Sequence, residues 1–108
     1  MELTMKEELI NGLLKLYKER LQEIVLYGSV ARGTETEESD IDIAIILKTG
    51  KETDTNNGLL DFAVDMDLKY DKVFSFVDID ISEFEKWQDS LPFYQNVKKE
   101  GVTLWKAA

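Results

Sequence analysis

The sequence predicts a single small domain of the α/β (α+β) class, in which helices lie mainly on one face of a mixed β-sheet. A chain of 108 residues suits one domain with one modest core. Segments with the apolar spacing of helices alternate with short runs of β-forming residues, an order typical of helices packed on a sheet. Because no internal repeat, low-complexity tract or linker divides the chain, residues 1–108 are expected to form one domain.

Three segments carry helical patterns. Residues 3–21 place apolar side chains at spacings of three and four, which predicts an amphipathic helix, and residues 59–70 show the same spacing. A third helical segment opens at Ser82, which we expect to cap it, since a glutamate follows three residues later. Pro92 is expected to start a further helical turn, and Gly101 is expected to end that helix.

Four segments are rich in β-forming residues and are predicted to be strands: residues 23–27, 40–47, 72–81 and 102–105. In the second strand the two-residue period places Asp40 and Asp42 on one face. Isoleucines 41 and 43 take the other face and anchor it in the core. We therefore expect the functional site on the face that the helices leave open.

The composition excludes several kinds of chemistry. The chain has neither cysteine nor histidine, so disulfides, a histidine base, and thiolate or imidazole metal sites are excluded, and any metal must be bound by oxygen. The net charge of −9 disfavours direct binding of nucleic acid and favours a divalent cation or a basic protein partner. Because no apolar run reaches about 20 residues and no signal-peptide pattern opens the chain, we expect a cytoplasmic location and no membrane contact.

The two aspartates of the second strand need a compensating positive charge. Asp40 and Asp42 lie roughly 7 Å apart if the strand is regular, and each charge favours protonation of the other. A divalent cation between them removes this cost, and Mg²⁺ typically binds one or two carboxylates together with substrate phosphates. The pair is therefore half of a candidate magnesium site. The simpler alternative is a pair of solvated aspartates at the mouth of a strand.

Gly28 and Ser29 supply a candidate phosphate site. A glycine at the end of a strand lets a ligand approach the backbone closely, and the N–H groups of the helical turn that follows favour an anion. A Gly-Ser pair alone is weak evidence. Its position eleven residues before Asp40-x-Asp42, with a strand before each element, makes the combination much more specific.

The segment YGSVARGTETEESDIDIAII, residues 27–46, resembles the signature of the polymerase-beta-type nucleotidyltransferase superfamily, and specifically of its minimal nucleotidyltransferase (MNT) branch. The pattern of that family is Gly-Ser, a helical turn often carrying Ala-Arg-Gly, a short loop, and Ser-Asp-x-Asp in an apolar strand. The short chain and its ending VKKEGVTLWKA are also similar to this branch. The matching positions are Gly28, Ser29, Ala31, Arg32, Gly33, Ser39, Asp40 and Asp42.

The resemblance implies a reaction and a set of site residues. Gly28 and Ser29 would hold the triphosphate of a nucleoside triphosphate, with Ser39 as a further nucleotide-binding candidate. Asp40 and Asp42 would bind two Mg²⁺ ions that activate an attacking hydroxyl and stabilise the leaving pyrophosphate. The implied product is an acceptor, protein or small molecule, that carries a nucleoside monophosphate, with AMP from ATP as the expected donor group.

Two of these positions also have simpler interpretations. Ser29 is a residue type that often caps the N-terminus of a helix, and it can do so while binding phosphate. Arg32 is by type most often a surface cation. One turn beyond the Gly-Ser pair it is also placed to pair with a phosphate or with Asp40, so the sequence leaves both roles open.

The resemblance also implies a partner. Members of the MNT branch, the MntA-like antitoxins, are often encoded beside an all-helical HEPN protein as a toxin-antitoxin pair, and some transfer AMP to a tyrosine of the toxin. A chain this short has little room for an acceptor site, so we expect a HEPN-type partner or a second copy in a homo-oligomer to supply it. The alternative is a catalytically inactive antitoxin or regulatory subunit that retains the fold. A looser alternative, an antibiotic-modifying nucleotidyltransferase, usually requires an additional helical domain.

The sequence offers two candidates for the position of a third carboxylate. The family places it on a later strand, in a pattern such as Val-Asp-Leu-x-Asp, and matching that pattern to residues 74–78 puts Ser75 at the catalytic position. Strand periodicity permits another phase, in which Asp78 and Asp80 face the same side as the first two aspartates. We take Asp78 as the expected third catalytic residue, with Ser75 as the alternative.

Overall fold

A computed structural model describes residues 1–34, 40–48 and 58–108 of the chain. The element order within these ranges alternates helices and strands as predicted. The helices are α1 (Leu3–Tyr17), α2 (Gly28–Arg32), α3 (Leu59–Tyr70), α4 (Ile81–Trp87) and α5 (Pro92–Glu100), with one 3-10 turn at Lys18–Arg20. The strands are β1 (Leu21–Tyr27), β2 (Ile41–Leu47), β3 (Phe74–Asp80) and β4 (Val102–Lys106).

The four strands form one mixed sheet in the order β3-β2-β1-β4. Strand β1 is antiparallel to both β2 and β4, whereas β2 and β3 are parallel. A parallel pair needs a crossover connection, and α3 lies in the connection between β2 and β3. The predicted α+β class and mixed sheet are confirmed.

The main hydrophobic core lies between one face of the sheet and the two longest helices, α1 and α3. In β2, the odd-numbered residues from Ile41 to Leu47 point into this core, as the two-residue period predicted. The two helices approach closely because α1 carries Gly12, where a Cβ atom would collide with the ring of Phe62 on α3. Seven of the side chains in this core are essentially inaccessible to solvent: Leu9, Leu13, Leu21, Ile24, Ile43, Ile45 and Met66.

A smaller core lies on the opposite face of the sheet, beneath the shorter helices α4 and α5. Its buried members are Val25, Ala44, Ile46, Ile79 and Val97. Phe84 of α4 and Tyr94 of α5 pack against it. Helices α4 and α5 therefore cover this face around Ile46, while Asp42 belongs to the same face of β2, four residues earlier in the strand.

Helices α3 and α5 lie where the sequence predicted, whereas each strand differs from its predicted range by one or two residues: β1 begins at Leu21, β2 at Ile41 and β3 at Phe74, and β4 ends at Lys106. Helix α1 ends at Tyr17 rather than at residue 21, because Leu21 enters the sheet opposite Leu47. The cap of α4 is Asp80, whose carboxylate accepts a hydrogen bond from the backbone N–H of Ser82 at 2.8 Å. The prediction of Ser82 as the cap was therefore wrong, and the third strand ends at residue 80 rather than 81. Within the described residues, no helix is long and apolar enough to cross a membrane.

Candidate active site

Gly28 joins the end of β1 to the short helix α2, and it is a position where only glycine fits. Its φ angle of 78° lies in the left-handed region that L side chains rarely adopt. A Cβ atom added at Gly28 would collide with Oδ2 of Asp42 and would lie 3.1 Å from Cγ of the same carboxylate. The backbone of the Gly-Ser turn therefore lies directly against the second aspartate of β2. The juxtaposition of these two motifs, predicted from their order in the chain, is confirmed.

Asp42 lies in a partly buried and negatively charged environment. It is directly opposite Tyr27 in the antiparallel pair of β1 and β2, so the two side chains share one face of the sheet. Burial raises the pKa of the Asp42 carboxyl, the charge of Asp40 raises it further, and Arg32 acts in the opposite direction. Asp40, just before β2, is exposed. The two carboxylates thus repel each other across a site with too little positive charge of its own.

Ser29 is the second residue of α2 and does not cap it. The N-cap of α2 is Tyr27, which makes no side-chain capping bond. The carbonyl oxygen of Ser29 accepts the backbone N–H of Thr34 at 3.0 Å, and this bond helps to close the turn at the end of α2. The capping role considered for Ser29 is therefore not the one that the structure shows.

Arg32 forms an ion pair that joins α2 to α5. Its Nη1 atom donates to Oε2 of Glu100 at 2.9 Å, and the two side chains are 45% and 35% exposed. Because both are partly exposed, this pair contributes little to stability. Its position is close enough to Asp42 to lower the pKa of that carboxyl, so Arg32 lies at the edge of the site. Ser39, the other predicted nucleotide-binding candidate, lies outside the described residues.

The parallel pairing of β2 and β3 determines which residue of β3 faces Asp42. Ser75 is the direct partner of Asp42, whereas Asp78 is the partner of Ile45, whose side chain points into the core beneath α1 and α3. Asp78 is therefore on the opposite face of the sheet, and the expectation that it faces Asp40 and Asp42 is corrected. The phase of alternation that the sequence left open is the one that places Ser75 beside Asp42.

The donor set of the site fits a hard divalent cation held in part by a substrate. Asp40 and Asp42 supply two carboxylates, and Mg²⁺ is typically bound by one or two carboxylates plus phosphate oxygens. Within residues 1–34, 40–48 and 58–108, no three acidic side chains are gathered closely enough to hold a metal ion by themselves. The site therefore fits a cation that arrives with a polyphosphate better than a permanently bound structural metal.

An aromatic wall next to Asp42 was not predicted as part of the site. Tyr27, opposite Asp42, makes an edge-to-face contact with Phe93 at 5.6 Å between ring centroids, and Phe93 contacts Tyr94 in the same manner at 5.5 Å. Phe93 is 37% exposed, so this row of aromatic rings is partly open to solvent. Burial, followed by the charge of Asp42, raises the pKa of Tyr27. The position of Tyr27 one residue before Gly28 was the one available signal of this wall.

The chain belongs to the family described as polymerase beta, nucleotidyltransferase, whose model matches residues 8–108. This family membership agrees with the fold, with the left-handed Gly28 and with the Asp-x-Asp pair at the start of β2. The chain is thus a nucleotidyltransferase by family, and its similarity to the MNT branch, first indicated by residues 27–46, is confirmed.

The chain is similar to a protein named as an adenylyltransferase and to chains in solved toxin-antitoxin structures. It is 34% identical over 99 residues to the Methanocaldococcus jannaschii protein named "Putative protein adenylyltransferase MJ0604", covering 92% of this chain and 93% of that protein. It is similar, with a TM-score of 0.64 and 28% identity over 94% of this chain and 73% of that one, to a chain in a crystal structure of a toxin-antitoxin pair with AMP-PNP. A third match, with a TM-score of 0.56 and 25% identity over 96% of this chain and 72% of that one, comes from the structure of tri-AMPylated Shewanella oneidensis HEPN toxin in complex with MNT antitoxin.

Proposed function

We propose that this chain transfers AMP from ATP, with Mg²⁺, to a hydroxyl of a HEPN-type protein, and that it acts as the antitoxin of that protein. The observation that carries the proposal is the contact between the Gly28 turn and the carboxylate of Asp42, because it brings a phosphate-binding backbone and a metal-binding side chain together. The relatives named as an adenylyltransferase, or solved with AMP-PNP or an AMPylated toxin, support AMP as the transferred group.

Each residue of the site has one role in this proposal. The backbone N–H groups at Gly28 and Ser29, together with the Ser29 hydroxyl, bind the triphosphate. Asp40 and Asp42 would bind the magnesium, which would neutralise the phosphates and lower the cost of forming the pyrophosphate leaving group. The acceptor oxygen bonds to the α-phosphorus, the bond from that phosphorus to pyrophosphate breaks, and the acceptor hydroxyl releases its proton to solvent. The products are an AMP-modified protein and pyrophosphate.

Ser75 favours a second candidate function. The position beside Asp42 is the one at which the family resemblance expects a third carboxylate, and a serine there supplies no negative charge to the metal site. A chain with this change can retain the fold and the nucleotide site while transferring AMP slowly or not at all. The alternative is therefore a binding antitoxin that neutralises its partner through surface contacts, with bound nucleotide as a ligand rather than a substrate.

The decisive experiment compares the wild-type chain with Asp42→Asn. ATP labelled on the α-phosphate is incubated with Mg²⁺, the chain and a HEPN-type protein encoded beside it, and label on the HEPN protein is measured by mass spectrometry and autoradiography. We expect the wild type to transfer AMP, and we expect the rate of transfer by Asp42→Asn to be at least about a hundredfold lower. Asp78→Asn is the matched control, since Asp78 lies on the other face of the sheet.

The outcomes separate the two candidates. Label that requires Asp42 and Mg²⁺ establishes the enzyme. Absence of label, with calorimetry still showing magnesium-dependent binding of AMP-PNP by the wild type, establishes the nucleotide-binding antitoxin instead. Absence of any magnesium-dependent nucleotide binding at about 1 mM ligand, a concentration that corresponds to only about 4 kcal/mol of binding free energy, refutes both.

A further inference from the structure

Helix α3 carries apolar side chains on two opposite sides. The side chains that pack on the main core are Phe62, Met66 and Tyr70. A second set also recurs every fourth residue but is offset by two positions, which is about half a turn of the helix. We call this second set the outer stripe, and its members are Leu60, Val64 and Leu68. The helix is therefore apolar on the side that faces the sheet and also on the side that faces solvent.

The outer stripe is strongly exposed. Leu60 and Leu68 are 78% and 79% exposed, and Val64 between them is 46% exposed. Single exposed apolar side chains are ordinary on protein surfaces, but three in register along one helix form a continuous apolar strip. A helix at the surface of a monomer normally presents polar residues to water, whereas a helix that is apolar on both sides is buried on both sides. The stripe thus has the pattern of a surface that is covered in an assembly.

The charges on α3 indicate what covers the stripe. Asp61 and Asp65 are both exposed and form no ion pair with any described residue. Lys69, the one basic residue of α3, instead binds Glu8 of α1. In a pairing of two copies through this stripe, these aspartates would add to the repulsion between two chains that each carry a net charge of −9. A helix with basic residues beside its apolar strip has the complementary charge.

We propose that the outer stripe of α3 is the docking surface for a helix of a protein partner, in which an apolar strip is bordered by lysine and arginine. The proposal deepens the proposed function, and rests on it only in that the partner named there is an all-helical protein. It assigns that partner a contact surface on the face of the sheet opposite Asp42, because α3 packs on the odd-numbered residues of β2. Docking and nucleotide chemistry are therefore separable by mutation.

The test uses two synthetic helical peptides with the same apolar strip, one bordered by lysine and the other by glutamate. Each peptide is fluorescently labelled and titrated with the full chain while anisotropy is recorded. We expect the lysine-bordered peptide to bind at least about tenfold more tightly than the glutamate-bordered one, and to lose this advantage as salt is raised. The double variant Asp61→Asn with Asp65→Asn is expected to reduce the difference between the peptides.

Paired variants locate the binding surface. The stripe variant combines Leu60→Gln with Leu68→Gln. It is expected to bind the lysine-bordered peptide at least about tenfold less tightly, because both positions lose their apolar contact. The matched control is Leu3→Gln on α1, a leucine that is 67% exposed and lies outside the stripe, with an expected change below about twofold. Since all three leucines are exposed, the variants should fold, and circular dichroism and thermal unfolding verify that they do.

Three results would overturn the proposal. The first is equal binding of the two peptides, or no binding of either at about 1 mM. The second is unchanged binding by the stripe variant. The third is a dimer in sedimentation that the stripe variant breaks, which would assign the surface to a second copy of the chain. Asp42→Asn separates this proposal from the nucleotide chemistry, since it should abolish AMP transfer and leave peptide binding unchanged.

Discussion

Replacement of Gly28 by alanine tests whether the Gly-Ser turn and Asp42 form one site. The substitution has two costs: an alanine at φ 78°, which we take as about 1–2 kcal/mol, and the collision of its Cβ with the Asp42 carboxylate, which we take as about 1–3 kcal/mol. Gly33→Ala is the matched control, because Gly33 has a φ of 73° but no atom within 4 Å of an added Cβ. We therefore expect Gly28→Ala to lose about 1–3 kcal/mol more stability than Gly33→Ala.

The assay is urea denaturation followed by circular dichroism, with calorimetric titration of Mg²⁺ and AMP-PNP alongside. Gly28→Ala should lose nucleotide binding, whereas Gly33→Ala should retain it. In the background of Asp42→Ala, the excess cost of Gly28→Ala should shrink by at least about 0.5 kcal/mol, since the carboxylate that it strikes is gone. Equal losses of stability for the two glycine variants, with unchanged nucleotide binding in both, would refute the contact between the turn and the aspartate.

Three further predictions concern the charges around the site. Because burial and then Asp40 raise the pKa of Asp42, the folded chain favours the protonated form of this carboxyl more than the unfolded chain does, so its contribution to stability falls as pH rises above about 4. Asp42→Asn should remove that fall in stability. Mg²⁺ with ATP should raise the denaturation midpoint of the wild type but not of the variant. Identical dependences of stability on pH for the two proteins would contradict this prediction. Ser75→Asp should raise AMP transfer at least about tenfold by supplying the missing carboxylate, with Ser75→Ala as the control that leaves the rate unchanged. Arg32→Ala and Glu100→Gln should each lower the free energy of unfolding by at most about 1 kcal/mol, as measured by thermal unfolding. Only Arg32→Ala should weaken the binding of AMP-PNP. If both variants weaken that binding equally, Arg32 has a structural role alone.

The parts of the fold that the sequence predicted are those encoded by local periodicity. The span of α3, residues 59–70, was predicted to the residue, because the apolar spacing begins after Gly58 and ends before the turn at Asp71. Pro92 and Gly101 likewise delimit α5 as predicted. The end of α1 was predicted wrongly because Leu21 joins the sheet by pairing with Leu47. That residue lies 26 positions later, so no pattern near Leu21 indicates the pairing.

The candidate site shows the same division between local and long-range information. Residues 27–46 contain both motifs of the site, so their sequence alone predicted that Gly28 and Asp42 act together. The choice between Ser75 and Asp78 depends on how β3 aligns with β2, and alternation within β3 defines two faces without showing which of them meets Asp42. The ion pair of Arg32 with Glu100 spans 68 residues and was equally invisible to local patterns.

The candidate site and the proposed docking surface lie on opposite faces of the sheet. Asp42 faces the side that α4 and α5 cover in part, while α3 and its outer stripe lie on the other side. A partner bound at α3 would therefore leave the candidate nucleotide site open, and under the proposed function the segment to be modified would reach Asp42 around the edge of the sheet or from another molecule. Loss of the third carboxylate at Ser75 would weaken the chemistry and leave the docking surface intact. The two candidate functions thus differ in whether a chain with serine at position 75 can still transfer AMP, and Ser75→Asp tests how much a carboxylate there adds.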